Sequence, residues 1–186
     1  KSGGGVYQLL DKTKYNGFRV HIFKDKWVYV DASQNEYPID RNDFSVTVNG
    51  NKITFDAVFN AIHGTPGEDG LMQAYFELLQ IPQTSCDYYQ AALTFNKRDL
   101  LSVLKPYGIK TAVSFYLNKG EHIDTNAIVS KVGLPCFVKP NKSGSSFGIS
   151  KVKTAAELPI AIEMAYKEDN EIIIESFLDG TEVSVG

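Results

Sequence analysis

Apolar and polar positions change their period several times along this chain, and each change marks an element. Between Phe18 and Phe23 they alternate, with Phe18, Val20 and Ile22 set against Arg19 and His21. That period of two predicts a half-buried strand with His21 on its solvent side. Residues 27–30 predict a second strand beyond the turn Asp25-Lys26. Two weaker runs, 44–48 and 52–55, flank Asn49-Gly50, a pair suited to a two-residue hairpin turn, and read as a decoration. Ahead of them, Val6, Leu9 and Leu10 have helical spacing within residues 4–13.

The run Ala57-Val58-Phe59-Asn60-Ala61-Ile62 is almost continuously apolar and predicts a strand buried in a parallel sheet. It leads into His63-Gly64-Thr65-Pro66-Gly67-Glu68-Asp69-Gly70 and then a helix, with Leu71, Tyr75 and Leu79 on one stripe and Met72 and Phe76 beside it. Strand, glycine-rich loop, helix is where open α/β sheets place ligands, at the carboxyl ends of strands. His63 therefore has the position of a site residue, with Glu68 in the same loop. Glu68 and Asp69 equally suit the first turn of the helix, where they offset its dipole. A short strand is expected at 80–83.

Residues 87–104 are helical in character, with a break near 94–96, so that Lys97 opens the second half; Pro106 and Gly108 end it. A strand over 112–117 and a helix over 126–132, closed by Gly133, follow. Thr154-Ala155-Ala156-Glu157 matches a capping box and opens a helix to about Lys167, in which Pro159 falls slightly late for a first-turn proline. Glu171-Ile172-Ile173-Ile174-Glu175 predicts a short strand with an acid at each end, and 181–186 begins another.

Between these lies the stretch with most chemistry, Leu134 to Val152. Cys136, Phe137 and Val138 suit a buried strand that ends in Lys139-Pro140. The loop Asn141-Lys142-Ser143-Gly144-Ser145-Ser146-Phe147-Gly148 follows, then a second short strand. Small residues let backbone N–H groups approach a ligand, and successive N–H groups make a nest for anions beside the Lys139 cation. A flexible hairpin tip has the same composition. Neither Gly-x4-Gly-Lys-Ser/Thr nor Gly-x-Gly-x-x-Gly is present, so neither a Walker loop nor a Rossmann fingerprint applies.

The whole reads as α/β in two parts: residues 1–85 with open parallel-sheet, Rossmann-like character, and residues 86–186 as a smaller α+β unit, divided near Thr84–Cys86. At 186 residues and 43% hydrophobic the chain supports a sizeable core. A net charge of −3 without a Lys/Arg cluster argues against general nucleic-acid binding. No apolar run approaches the roughly 20 residues of a membrane span. Two cysteines, Cys86 and Cys136, are expected as reduced thiols, which points to the cytoplasm. His21, His63 and His122 show no metal-ligand spacing. Both ends read as cut, with no initial methionine and a final strand interrupted, so a piece of a longer protein is expected.

Four motifs in order resemble the D-alanine–D-alanine ligase family of the ATP-grasp superfamily. They are His63-Gly64-x-x-Gly67-Glu68-Asp69-Gly70, Ala92-Leu93-Thr94-Phe95-Asn96-Lys97, Val138-Lys139-Pro140 with Gly144-Ser145-Ser146-x-Gly148, and Ile174-Glu175 followed by Glu182-Val183-Ser184-Val185. The resemblance runs over nearly the whole chain. It implies a pre-ATP-grasp N-terminal domain followed by the central subdomain of an ATP-grasp fold, with the C-terminal ATP-grasp part absent from this chain. It implies ATP and Mg²⁺ (or Mn²⁺) as cofactors, and D-alanine as substrate. The mechanism that the resemblance implies is attack of the first D-alanine carboxylate on the γ-phosphate, followed by attack of the second D-alanine's amine on the resulting acylphosphate, with phosphate leaving.

Carried over residue by residue, Lys97 and Lys139 resemble the family's phosphate lysines. Ser145 resembles the serine that links the loop to the substrate side, and Ser146 its phosphate-facing neighbour. Glu175, Ser176, Phe177 and Leu178 resemble the adenine-binding hinge, and Glu182 the acid on the ribose hydroxyls. His63 and Glu68 would lie near the first D-alanine. The metal ligands, the catalytic arginine and the amine-binding glutamate of the family match nothing in these residues, so the chain alone is expected to be inactive. The resemblance further implies a cytoplasmic enzyme of cell-wall precursor synthesis, with a homodimer as the assembly to test. A D-Ala–D-lactate or other ATP-grasp ligase, and a non-catalytic nucleotide-binding module, remain alternatives.

Overall fold

The computed structural model describes residues 2–181 and Val183. The chain divides into two compact units, Lys1–Ala91 and Ala92–Gly186.

In the first unit, helix α1 (Ser2–Leu9) precedes five strands: β1 (Arg19–Ile22), β2 (Trp27–Val30), β3 (Glu36–Asp40), β4 (Ser45–Val48) and β5 (Asn51–Ile53). They pair in chain order and antiparallel, with Arg19 opposite Val30, Val28 opposite Pro38, Ile39 opposite Val46 and Thr47 opposite Lys52. Asn49 and Gly50 both take positive φ, at 50° and 80°, as the tight hairpin turn requires. Strand β3 has no counterpart in the sequence reading, because Pro38 and the polar residues around it disguise a strand that lies inside the sheet.

Helix α2 (Leu71–Leu78) buries Met72, Gln73 and Phe76, and Met72 and Phe76 with Ile39, Phe44 and Val46 form the centre of this unit. The Phe44 and Phe76 rings meet edge-on at 4.9 Å between centroids. Burying each such side chain contributes roughly 1.5–3 kcal/mol. The segment 27–55 is therefore core, not decoration. Leu71, expected on the buried stripe, is 61% exposed.

The expected parallel strand at 57–62 is corrected. Among the described residues the parallel pairing of this unit is a single bridge, Val58 with Gln83, in which the Val58 N–H donates to Pro82 O and the Thr84 N–H to Val58 O. Phe59 points outward at 57% exposure, so the run is not buried on both faces. A strand inside a parallel sheet needs a hydrogen-bonded neighbour on each side, and this one has the 82–84 segment alone.

Helix α3 (Tyr88–Phe95) runs across the division between the units; a break at Asn96 and α4 (Lys97–Leu104) follow, and α4 ends in a 3₁₀ turn over Lys105–Tyr107 and a left-handed Gly108. The sheet of the second unit contains β6 (Ser114–Asn118), β7 (Cys136–Pro140), β8 (Ser150–Val152) and β9 (Glu171–Ser176), in the order β6-β9-β7-β8. All neighbours run antiparallel. Strand β9 lies between β6 and β7, so β6 and β7 run parallel and are joined by α5 (Thr125–Val132). Strands β8 and β9 are likewise parallel and joined by α6 (Leu158–Ala165). The two crossovers interleave and lay both helices on one face.

That face is the core: Leu117, Cys136, Val138, Val152, Ile172 and Ile174 meet Ile128, Val132, Leu158, Ala161, Ile162 and Ala165. Asp124 caps α5 by accepting from the N–H groups of Asn126 and Ala127, each at 3.0 Å. At Thr154 the capping box is partial. Glu157 accepts from the Lys153 N–H and the Thr154 hydroxyl, but the first turn is 3₁₀, and Pro159 falls at the start of α6 where its missing N–H does no harm. No helix among the described residues is long and apolar enough to cross a membrane.

Candidate functional site

Strands alternate their side chains, so β7 sends Cys136, Val138 and Pro140 to the core and Phe137 and Lys139 to the opposite, open face. Register then selects their companions. Phe137 lies opposite Glu175 on β9 and opposite Lys151 on β8. Lys139 Nζ sits 2.7 Å from Glu175 Oε2 and 5.5 Å from the Phe137 ring centroid. Beyond the end of β9, Phe177 stacks on Phe137 with centroids 6.2 Å apart and planes 29° apart. Lys151 Nζ lies over the Phe177 ring at 4.1 Å. Two aromatic faces and two ammonium groups thus share one surface.

The loop between β7 and β8 borders this surface. Ser145 and Ser146 are both left-handed, at φ 50° and 62°, and Gly148 is at 70°. The Phe147 N–H donates to Gly144 O and the Ile149 N–H to Ser146 O, which closes two tight turns. Among the described residues, no acceptor meets the N–H groups of Gly144, Ser145 or Ser146. Unengaged N–H groups on left-handed backbone are what an anion-binding nest requires.

Lys97 opens α4 and reaches the root of the same loop. Its Nζ donates to Ser143 O at 2.8 Å and Asn141 O at 3.2 Å. An ammonium has three donors, so one remains for a ligand. Burial pushes the Lys97 amine below the ordinary lysine range, the charge of Lys139 adds to this, and Glu175 and Asp169 oppose it.

The hinge segment is partly committed. The Ser176 N–H donates to Val113 O at 2.9 Å, the Ser176 hydroxyl accepts from the Val113 N–H, and the Phe177 N–H donates to Pro135 O. Leu178 is 66% exposed. Glu182 lies outside the described residues.

In the first unit, the loop 63–70 is drawn together at Gly67, whose carbonyl accepts from Asn60 Nδ2 at 2.8 Å and Gln73 Nε2 at 2.7 Å. Glu68 Oε2 accepts from the Gly64 N–H at 2.8 Å, while its Oε1 lies 3.7 Å from His63 Nδ1. The structure brings His63 and Glu68 together, and Glu68 closes the loop as well as facing the histidine.

The sequence reading passed over Lys151, Phe137 and Asn141. The first two carried a signal: Phe137 is two residues from Lys139 and so shares its face, and a β7–β8 hairpin puts Lys151 opposite Phe137. Asn141 carried none, because its partners lie far along the chain.

Two family models cover most of the chain: residues 1–86 match the D-ala D-ala ligase N-terminus and residues 103–186 match the D-ala D-ala ligase C-terminus. The chain belongs to the D-alanine–D-alanine ligase family. It is 85% identical over its full length to the D-alanine–D-alanine ligase of Flavobacterium johnsoniae, of which it covers 57%. Among solved structures, D-alanyl-alanine synthetase A from Vibrio cholerae matches 96% of this chain over 54% of its own length, with a TM-score of 0.82 and 25% identity. The VanG D-Ala:D-Ser ligase from Enterococcus faecalis matches with a TM-score of 0.80 and 29% identity, over 96% of this chain and 58% of its own length. The mixed α/β architecture is thus that of the D-alanine–D-alanine ligase family, and the chain spans little more than half the length of these relatives.

Proposed function

We propose that the protein containing this chain joins two D-alanines at the expense of ATP. The observation that carries this reading is the meeting of Lys97 and Lys139 with the unengaged N–H groups of the 143–148 loop, beside the Phe137–Phe177 stack. Phosphoryl transfer needs charge neutralised and the reacting groups held in line, and this surface is built of cations and fixed donors. Lys97 and Lys139 are assigned to the nucleotide phosphates, Ser146 and the loop N–H groups to the phosphate that is transferred, and Ser145 to the link with the substrate side. Phe137, Phe177 and Leu178 wall the base, and Glu175 with the carbonyl side of the 176–178 segment meets its polar edge. Glu182 is assigned to the ribose hydroxyls, and His63 and Glu68 to the first D-alanine.

In the proposed reaction a D-alanine carboxylate oxygen attacks the γ-phosphorus and ADP leaves. The amine of the second D-alanine then attacks the acylphosphate carbonyl and phosphate leaves. Among the described residues no group of three or more His, Cys, Asp or Glu is arranged to hold a metal. A Mg²⁺ or Mn²⁺ ion is proposed with ligands outside this chain, and no step is assigned to it. The reaction is placed in the cytoplasm, where ATP is supplied, and a homodimer is the assembly to test.

The deciding experiment is phosphate release from ATP by the full-length protein with D-alanine, with L-alanine, and with D-alanine plus D-lactate or D-serine. Release that requires D-alanine alone and yields its dipeptide is expected. Dependence on D-lactate or D-serine would move the assignment to another ligase of this family. Tight ATP binding without release under any condition would overturn catalysis and leave a nucleotide-binding module.

A further inference from the structure

Asn141 follows β7 directly and is buried to 1% exposure, although its side chain is fully polar. Its carboxamide ties the end of β7 to two segments distant in sequence. The Oδ1 accepts from the Arg98 N–H at 2.8 Å, and the Nδ2 donates to Asn96 Oδ1 and to Glu171 Oε2, each at 2.9 Å. Its backbone repeats the pattern. The N–H donates to Glu171 O at 2.9 Å, and the carbonyl accepts from both the N–H and the Nζ of Lys97, at 3.3 and 3.2 Å.

Arg98 N–H is one of the first-turn donors of α4 that no residue inside the helix can satisfy. Asn96 caps the same turn by accepting from the Asp99 N–H at 3.1 Å. Asn141 therefore docks the start of α4 onto the root of the loop, and with it the Lys97 side chain, whose four-carbon stem has no fixed direction of its own. Only a carboxamide supplies both an acceptor for Arg98 and donors for Asn96 and Glu171. A carboxylate would face Asn96 Oδ1 and the Glu171 carboxylate with another acceptor, and an alanine would leave the partly buried Arg98 N–H without this partner.

We propose that Asn141 is a positioning residue for the Lys97 ammonium: it clamps the start of α4 to the root of the 142–149 loop so that the ammonium is held on the nucleotide phosphates, those retained in ADP included. This rests on the nucleotide reading given above. The clamp acts through Lys97, so its loss matters only while Lys97 is present.

The test is a double-mutant cycle on the full-length protein, reading the ADP dissociation constant by calorimetry in the parent, Asn141→Ala, Lys97→Ala and the double variant. Each single variant is expected to weaken ADP roughly tenfold, the loss of about one buried hydrogen-bonding partner. The double variant is expected to bind within about threefold of Lys97→Ala, because coupled residues do not add. The KM for D-alanine is expected to stay unchanged in Asn141→Ala. Should Asn141→Ala fail to fold, Asn141→Ser, which is too short to span Arg98, Asn96 and Glu171 together but leaves a small uncharged polar group in the site, takes its place in the cycle with the same expectation. Fully additive losses overturn the proposal, as does a lower melting temperature with ADP affinity intact. An Lys97→Ala variant that binds ADP like the parent overturns the nucleotide reading itself, and is distinguishable because Asn141 is then still unchanged.

Discussion

Lys139 and Glu175 meet diagonally across neighbouring antiparallel strands, two positions out of register, with Nζ and Oε2 2.7 Å apart on the open face of the sheet. Their side chains retain 26% and 14% exposure, so the pair is partly withdrawn from water and counts for more than a surface bridge. Lys139→Met is expected to leave the carboxylate unpaired and to cost about 1–3 kcal/mol in urea unfolding. Glu175→Gln keeps an oxygen acceptor and is expected to cost less. A Lys139→Met protein as stable as the parent would remove the pair from the account of this sheet.

Lys97 makes stability depend on alkaline pH. Its folded pKa is held below the ordinary 10.5, first by burial and then by Lys139. A base with a depressed folded value binds fewer protons folded than unfolded, so unfolding free energy rises with pH in that window. The charged amine costs stability at neutral pH, and the cost lifts as pH rises through the folded value toward 10.5. The parent is therefore expected to gain stability on Lys97→Met between neutral pH and 10.5, measured by denaturant titration at stepped pH. A difference that stays flat would contradict the burial of the ammonium.

Asp43 gives the opposite slope in acid. The Lys52 ammonium at 2.6 Å is the largest influence, and the Ser45 hydroxyl at 2.6 Å the next, holding its pKa at about 2 against an ordinary 3.8. A depressed acid contributes stability above its unfolded value and loses it as pH falls through the folded one. Asp43→Asn is expected to flatten the acid limb of the stability curve between 3.8 and about 2. An unchanged limb would show that the carboxylate is equally well solvated in the unfolded chain.

Gly148 and Gly50 separate backbone strain from crowding. Both are left-handed, at φ 70° and 80°. A Cβ at Gly50 meets nothing within 4 Å, whereas one at Gly148 lies 2.7 Å from Pro140 Cγ and 2.8 Å from Glu168 Cγ. Gly50→Ala is expected to cost about 1–2 kcal/mol, the backbone part alone. Gly148→Ala is expected to cost more and to weaken a non-hydrolysable ATP analogue as the loop shifts. Equal losses in urea unfolding would mean that Pro140 and Glu168 give way freely.

Local pattern alone determined much of this protein. The alternation at 18–23, the Asn49-Gly50 turn, the break before Lys97, and the strands around Lys139 and Glu175 were all legible, because each is decided by residues within a turn or a pleat of one another. Strand β3 was hidden by Pro38, and 57–62 forms a single bridge because a parallel strand is completed by neighbours and not by its own apolar residues. The order β6-β9-β7-β8 follows from two helices burying their stripes on one face, and only that order sets Glu175 beside Lys139. The same holds for Asn141, whose bonds to Lys97 span 44 residues. Nothing near Asn141 in sequence predicts them. They exist because the start of α4, the end of β7 and the start of β9 meet at one edge of a packed sheet, where a buried amide must find partners or be excluded.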